Sequence, residues 1–219
     1  MAETNQGGIQ GIFKLSTRPQ QEVVNRHDLS MALEPDGLST RVYIGECTNC
    51  QMTLAKKAAN ILIENCKDLV LTMSAQLVSG TLEIAKSSNI LVKISPNIKI
   101  PTVTADSTTG LKIIMLENED QIENLYFHRS SNLLLVQGEG LERKEYIALP
   151  PSNAPEDLQF ISFWEKGENG IELKTEKVVR EGVFPKSEGE FLKAKERDRK
   201  NAEMAFNFLE SQIKIAMKK

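Results

Sequence analysis

Ile61-Leu62-Ile63-Glu64-Asn65-Cys66-Lys67-Asp68-Leu69-Val70-Leu71-Thr72-Met73 reads as two short strands joined by a polar corner. Apolar residues stand at 61 and 63 and again at 69, 71 and 73, so each half carries one buried face. The stretch decides the fold because it recurs. Asp68 belongs to a column of residues that tolerate left-handed backbone, Asn49, Asp68, Asn89, Gly110 and Asn132, spaced by 19, 21, 21 and 22 residues. One position after each lies Cys50, Leu69, Ile90, Leu111 or Leu133, and three after it Met52, Leu71, Val92, Ile113 or Leu135. Five after it come Leu54, Met73, Ile94 and Met115, then Gln137, and this break predicts the end of the stack.

The columns continue on the other side of the corner. Seven before each landmark stand Val42, Ile61, Leu82, Val103 and Leu125, and five before it Ile44, Ile63, Ile84, Ala105 and Phe127. Two before it the residue is always small: Cys47, Cys66, Ser87, Thr108 or Ser130. A repeat of about 20 residues built from two alternating strands predicts an all-β strand solenoid. The expected architecture is a parallel β-helix of five to six coils, right-handed by the general preference of parallel crossovers. Successive coils would lie about 4.8 Å apart, so each apolar column becomes a ladder of stacked side chains. A leucine-rich repeat has a similar period but needs fixed leucines and asparagines, where these columns mix Val, Ile, Met and Cys.

The chain has 219 residues and a net charge of −3, with 40% apolar and 26% charged residues, which is the balance of a folded chain. Lys and Arg are not in excess, which argues against a nucleic-acid partner. No apolar run reaches the roughly 20 residues of a membrane span, and the first ten residues lack a signal-peptide pattern. A cytoplasmic protein is expected. Three cysteines, two of them in Cys47-Thr48-Asn49-Cys50, suggest reduced thiols.

Residues 1–39 hold Gly7, Gly8, Gly11, Pro19, Pro35 and Gly37 and read as an irregular lead-in, with a strand expected near 11–15. The repeats occupy 40–149. Leu149-Pro150-Pro151-Ser152-Asn153-Ala154-Pro155 has linker composition. Within 150–185, residues 158–164 and 171–179 alternate, and Gly167-Glu168-Asn169-Gly170 between them predicts a terminal hairpin. Phe160, Phe163 and Trp164 form an aromatic cluster suited to a cap or an interface. Residues 186–219 read as a helix opened by a capping box, Ser187 with Glu190. Ala202, Ala205, Phe206, Leu209, Ile213 and Ala216 give it an apolar stripe that needs a partner. Glu among the Lys of its polar face disfavours a membrane surface.

A search for catalytic chemistry finds little. His27 and His128 have no evident nucleophile nearby. A structural zinc site wants four ligands, and besides the two cysteines of the Cys-x-x-Cys only Cys66 remains. Phosphate-loop, zinc-protease and serine-elbow motifs are absent from the sequence. No enzyme activity, metal or cofactor is expected. Outward positions carry Lys67, Lys86, Lys93, Thr102 and Thr104, and a solenoid of this kind ordinarily works through a lateral face that meets a protein.

Val42-Tyr43-Ile44, the run from Ile61 through Leu69, Gly80-Thr81-Leu82-Glu83-Ile84 and Ile100-Pro101-Thr102-Val103-Thr104-Ala105 together resemble the C-terminal domain of adenylyl cyclase-associated proteins, which shares its repeat with tubulin-binding cofactor C. Phe163-Trp164 and residues 173–179 extend the resemblance to the family's closing segment. The resemblance implies a right-handed parallel β-helix that binds monomeric actin, promotes its nucleotide exchange and dimerises by swapping terminal strands. The family's Pro-Thr-strand-Lys-Thr-Asp-Gly segment corresponds to Pro101, Thr102, Ser107, Thr108, Thr109 and Gly110, with its lysine and aspartate missing here. Arg129 lacks the pattern that surrounds the GTPase-directed arginine of cofactor C, so GTPase activation is disfavoured.

The expected actin-type face is therefore Lys86, Lys93, Thr102, Thr104, Ser107 and Thr108, and the expected dimerisation strand carries Leu173, Thr175, Val178 and Val179. Phe206, Leu209 and Ile213 are the expected anchor residues of the helix. An alternative expectation is a scaffold component of a microtubule or ciliary assembly held by that helix.

Overall fold

The computed structural model describes residues 19–140, 143–155, 157–167, 170–181 and 185–216, with side chains as far as 210. Two strands make each coil. They are β1 (Gln20–Val24) with β2 (Ser30–Leu33), β3 (Arg41–Gly45) with β4 (Thr48–Leu54), and β5 (Ile61–Glu64) with β6 (Lys67–Met73). Then come β7 (Thr81–Ala85) with β8 (Ser88–Ile94), β9 (Thr102–Asp106) with β10 (Thr109–Met115), and β11 (Asn124–His128) with β12 (Leu133–Gln137). The odd-numbered strands stack in parallel into sheet A and the even-numbered ones into sheet B, giving six coils among the described residues. This is a parallel β-solenoid.

The expected columns occupy the interior. Ile61, Leu82 and Val103 lie in one register line, as do Leu69, Ile90 and Leu111, and all six are buried. Each fully buried Leu or Ile contributes roughly 1.5–3 kcal/mol relative to leaving it in water. Asn49, Asp68, Asn89, Gly110 and Asn132 all have positive φ. A second left-handed column lies three residues earlier at Glu46, Asn65, Lys86, Ser107 and Arg129, and the amide of each of the first four donates to a carbonyl of the next coil at 2.8–3.2 Å. Its mixed chemistry left no sequence signal. Gly110 has the firmest need to be glycine, since its φ is +75° and a Cβ there would come within 2.9 Å of Asn89 Oδ1.

Two expectations need correction. The irregular lead-in over 1–39 is, from Gln20 on, a complete coil: β1 pairs with β3 and β2 with β4, and Asp28 supplies its left-handed corner. The strand expected near 11–15 lies outside the described residues. Residues 149–155 hold no strand, in keeping with their linker composition, but the expected repeats over 40–149 stop short of it, because β13 (Lys144–Ala148) folds back antiparallel on β12. The terminal hairpin forms as expected, from β14 (Gln159–Gly167) and β15 (Gly170–Val179), and β14 also pairs antiparallel with β11, so the hairpin extends sheet A. Residues 168 and 169 of its turn lie outside the described residues. A short β16 (Lys186–Ser187) on β15 leads into α1 (Glu188–Ala216).

Candidate interaction surfaces

Small polar side chains stand inside the stack because each corner gives them a carbonyl. Ser87 Oγ donates to Ala85 O at 2.7 Å and Thr108 Oγ1 to Asp106 O at 3.0 Å. Ser87 Oγ also accepts the Cys66 amide, and Ser130 Oγ accepts the Thr108 amide, at 3.0 Å in both cases. Cys47 and Cys66 occupy the same column with their thiols aimed at carbonyls. Burial pushes the Cys66 thiol up to about 11, so it stays protonated and inert at neutral pH. Among the described residues no group of His, Cys, Asp and Glu is placed to hold a metal ion.

This ladder removes Thr108 from the expected partner face, since the residue is 0% exposed. The other five do not share one surface. Thr102 and Thr104 point outward from β9 in sheet A, and Lys86 and Ser107 stack on the corner beside it. Lys93 lies on β8 in sheet B, on the other side of the solenoid.

The two outward faces differ in chemistry. On sheet A polar groups satisfy one another: Lys86 Nζ meets Glu64 Oε1 at 2.9 Å, Tyr43 Oη donates to Glu64 Oε2 at 3.3 Å, and His128 Nδ1 meets Asp106 Oδ1 at 2.9 Å. The Lys86 hydrogen bond and charge hold the Glu64 carboxyl below the usual glutamate range. On sheet B the outward register line runs Gln51, Val70, Leu91, Lys112, Leu134, Ile147, and the next line Thr53, Thr72, Lys93, Ile114, Val136, Glu145. Half-buried Val70, Leu91, Ile114 and Leu134 and exposed Ile147 thus give this face an aliphatic outer surface, with Val136 buried, and among the described residues neither Lys93 nor Lys112 has an ion-pair partner. Sequence reasoning passed over this surface. Its signal was present in the unbroken apolar triplets 69–71, 90–92, 113–115 and 133–135, which mark strands that are apolar on both faces.

A protein-family model described as Adenylate cyclase associated (CAP) C terminal matches residues 19–168, the whole stack of coils with its closing strands. The chain belongs to this family. Adenylyl cyclase-associated protein 1 of Bos taurus and of Homo sapiens are each 27% identical over 154 residues, which is 70% of this chain and 29% of the relative. The chain therefore matches less than a third of the length of these curated relatives. A crystal structure of cyclase-associated protein from Cryptosporidium parvum shares the fold, with a TM-score of 0.54 at 18% identity over 80% of this chain and 98% of that one.

All of β15, together with β16 and α1, lies beyond the CAP family match. Leu173 packs on the core, Thr175 Oγ1 and Ser162 Oγ lie 2.7 Å apart, Val178 is buried, and Val179 pairs with Lys186. Between residues 170 and 177 the outer edge of β15 has no strand partner among the described residues. The capping box forms as expected: the Ser187 amide donates to Glu190 Oε2 at 3.3 Å and the Glu190 amide to Ser187 Oγ at 3.2 Å. Glu176 on β15 fastens this first turn by accepting the Gly189 amide at 2.8 Å. Burial pushes the Glu176 carboxyl up, but the Ser187 hydroxyl, the Gly189 amide and Lys174 together hold it below the usual range. Farther along, Phe206 is 67% and Leu209 59% exposed, while the side chain of Ile213 lies outside the described residues. Among the described residues no helix is long and apolar enough to cross a membrane.

Proposed function

We propose that this chain is a non-enzymatic regulator that binds monomeric actin and promotes its nucleotide exchange in the cytoplasm. The observation that carries this reading is the CAP family match over the complete solenoid. Within the solenoid, the outer face of sheet B is the docking surface, because it joins half-buried aliphatic area to unpaired Lys93 and Lys112, whereas on sheet A Lys86, Glu64, Tyr43, His128 and Asp106 are already paired. The resemblance points instead to Thr102 and Thr104 with Lys86 and Ser107 on the neighbouring side. The open edge of β15 from 170 to 177, which carries Leu173 and Thr175, supports homodimerisation by strand pairing, while the expected Val178 and Val179 are already taken up by β16.

The test mixes the full chain with ADP-loaded monomeric actin, follows complex formation by sedimentation velocity, and reads exchange with a fluorescent nucleotide. A complex with accelerated exchange is expected. Lys93→Glu with Lys112→Glu should weaken it at least about tenfold, while Thr102→Ala with Thr104→Ala should leave it within about twofold. No complex at micromolar actin would sink the reading. The exposed apolar residues of α1 favour a second one, a cytoskeletal scaffold component anchored by that helix.

A further inference from the structure

We propose that the groove between the last coil and the first turn of α1 is a docking site for a cationic, partly apolar segment of a partner protein, gripped through a Lys or Arg side chain. The groove has a volume of about 360 Å³ and a floor of Ile122, Ile161, Phe163 and Trp164. Asp120, Glu123 and Glu190 stand around it. It is assembled from both sides of the family boundary, since Ser187 and Glu190 come from the segment that the CAP family match leaves out.

The floor is preorganised. Trp164 Nε1 donates to the Ile122 carbonyl at 2.8 Å, and its ring stands edge-on against Tyr146 with centroids 4.9 Å apart. Ile122 and Ile161 are buried, which leaves the half-buried aromatic rings as the surface a ligand would meet. Among the described residues that line it there is no cation. Asp120 and Glu123 are exposed and make no ion pair among the described residues, and Glu190 Oε2 accepts only the backbone amide of Ser187. Lys174, the register partner of Phe163, is already paired with Glu165 and Glu176.

Aromatic floor and carboxylate rim select one kind of side chain. An anion would be repelled by three carboxylates, and a purely apolar group would leave that repulsion in place. A Lys or Arg lays its methylenes on the rings and brings its head group to the acids. The planar guanidinium suits both stacking and carboxylate pairing, so Arg should bind more tightly than Lys.

Trp164 is the only tryptophan in the chain, so its emission reports directly on the floor. The full chain is titrated with acetyl-Leu-Arg-Leu-Arg-Leu-amide and, as a control, acetyl-Leu-Glu-Leu-Glu-Leu-amide. The expected result is a saturable change in Trp164 emission with the arginine peptide alone, weakened about tenfold or more in Asp120→Asn with Glu123→Gln and at high salt. The circular dichroism melt of that variant should match the parent, because both residues are exposed. Equal responses to the two peptides, unchanged affinity in the variant, or no saturation up to about 1 mM would overturn the proposal. Actin affinity measured on the same variant should not change, so failure here and failure of the actin reading are separate results.

Discussion

Strands β3 to β12 place a buried side chain at every second position, whereas α1 from Lys195 to Glu210 has only exposed side chains. The stack is covered by its own chain. Each coil is the wall of the next, so its stability is intramolecular and needs no partner. The helix is fastened at one end, through Ser187, Gly189 and Glu176, and then runs on with Phe206 and Leu209 uncovered. An isolated helix gains little from propensity alone, and most helical stability comes from packing an apolar face. The same chain thus combines a self-sufficient body with an element whose apolar face is left for something else.

The sharpest way to break this contrast is to remove one interior side chain. Leu71→Ala should cost about 3 kcal/mol in urea unfolding, from lost transfer energy and the cavity left in the ladder. The matching change in the helix, Leu209→Ala, should cost less than about 0.5 kcal/mol. Equal costs would show that α1 packs on the solenoid after all. A smaller interior effect is expected from Ser87→Ala, about 1–2 kcal/mol, because the buried Cys66 amide loses its acceptor. Ser187→Ala removes the N-cap and should cost about 1 kcal/mol locally, seen as lost helical signal without a shift of the solenoid melt.

The smallest effect is a pH dependence confined to the joint. Glu176 is held below the ordinary glutamate value of 4.5, so the unfolded state takes up its proton first as pH falls. Its contribution is complete above that value and is lost as pH drops through the depressed one, releasing the first turn of α1 while the solenoid stays folded. Circular dichroism across that range reads the loss, and Glu176→Gln should abolish its pH dependence.

Periodic apolar columns made most of the stack legible, because a parallel solenoid repeats the same environment at the same position. The first coil escaped because Gln21 stands where later coils have Val42, Ile61 and Leu82, although Leu29, Met31 and Leu33 continue the other columns. Thr108 was misplaced on the surface for a physical reason: a hydroxyl satisfied by the Asp106 carbonyl is as much at home inside as the Cys47 thiol. Lys93 and Thr102 were grouped together because the spacing identifies outward positions but does not say which sheet each one faces from. The sheet B face had a local signal in the apolar triplets such as 69–71 and 90–92, whereas the groove beside Trp164 needs packing across the chain, which no local pattern carries. The capping box was readable because both of its partners lie within four residues.

The most direct test compares ADP-actin affinity of three full-length proteins by sedimentation velocity: the parent chain, Lys93→Glu with Lys112→Glu, and Phe206→Ser with Leu209→Ser. With actin docking on the solenoid as proposed, the sheet B variant should lose at least about tenfold while the helix variant binds like the parent. Loss confined to the helix variant would contradict it and move the binding surface from the self-covered stack to the uncovered helix.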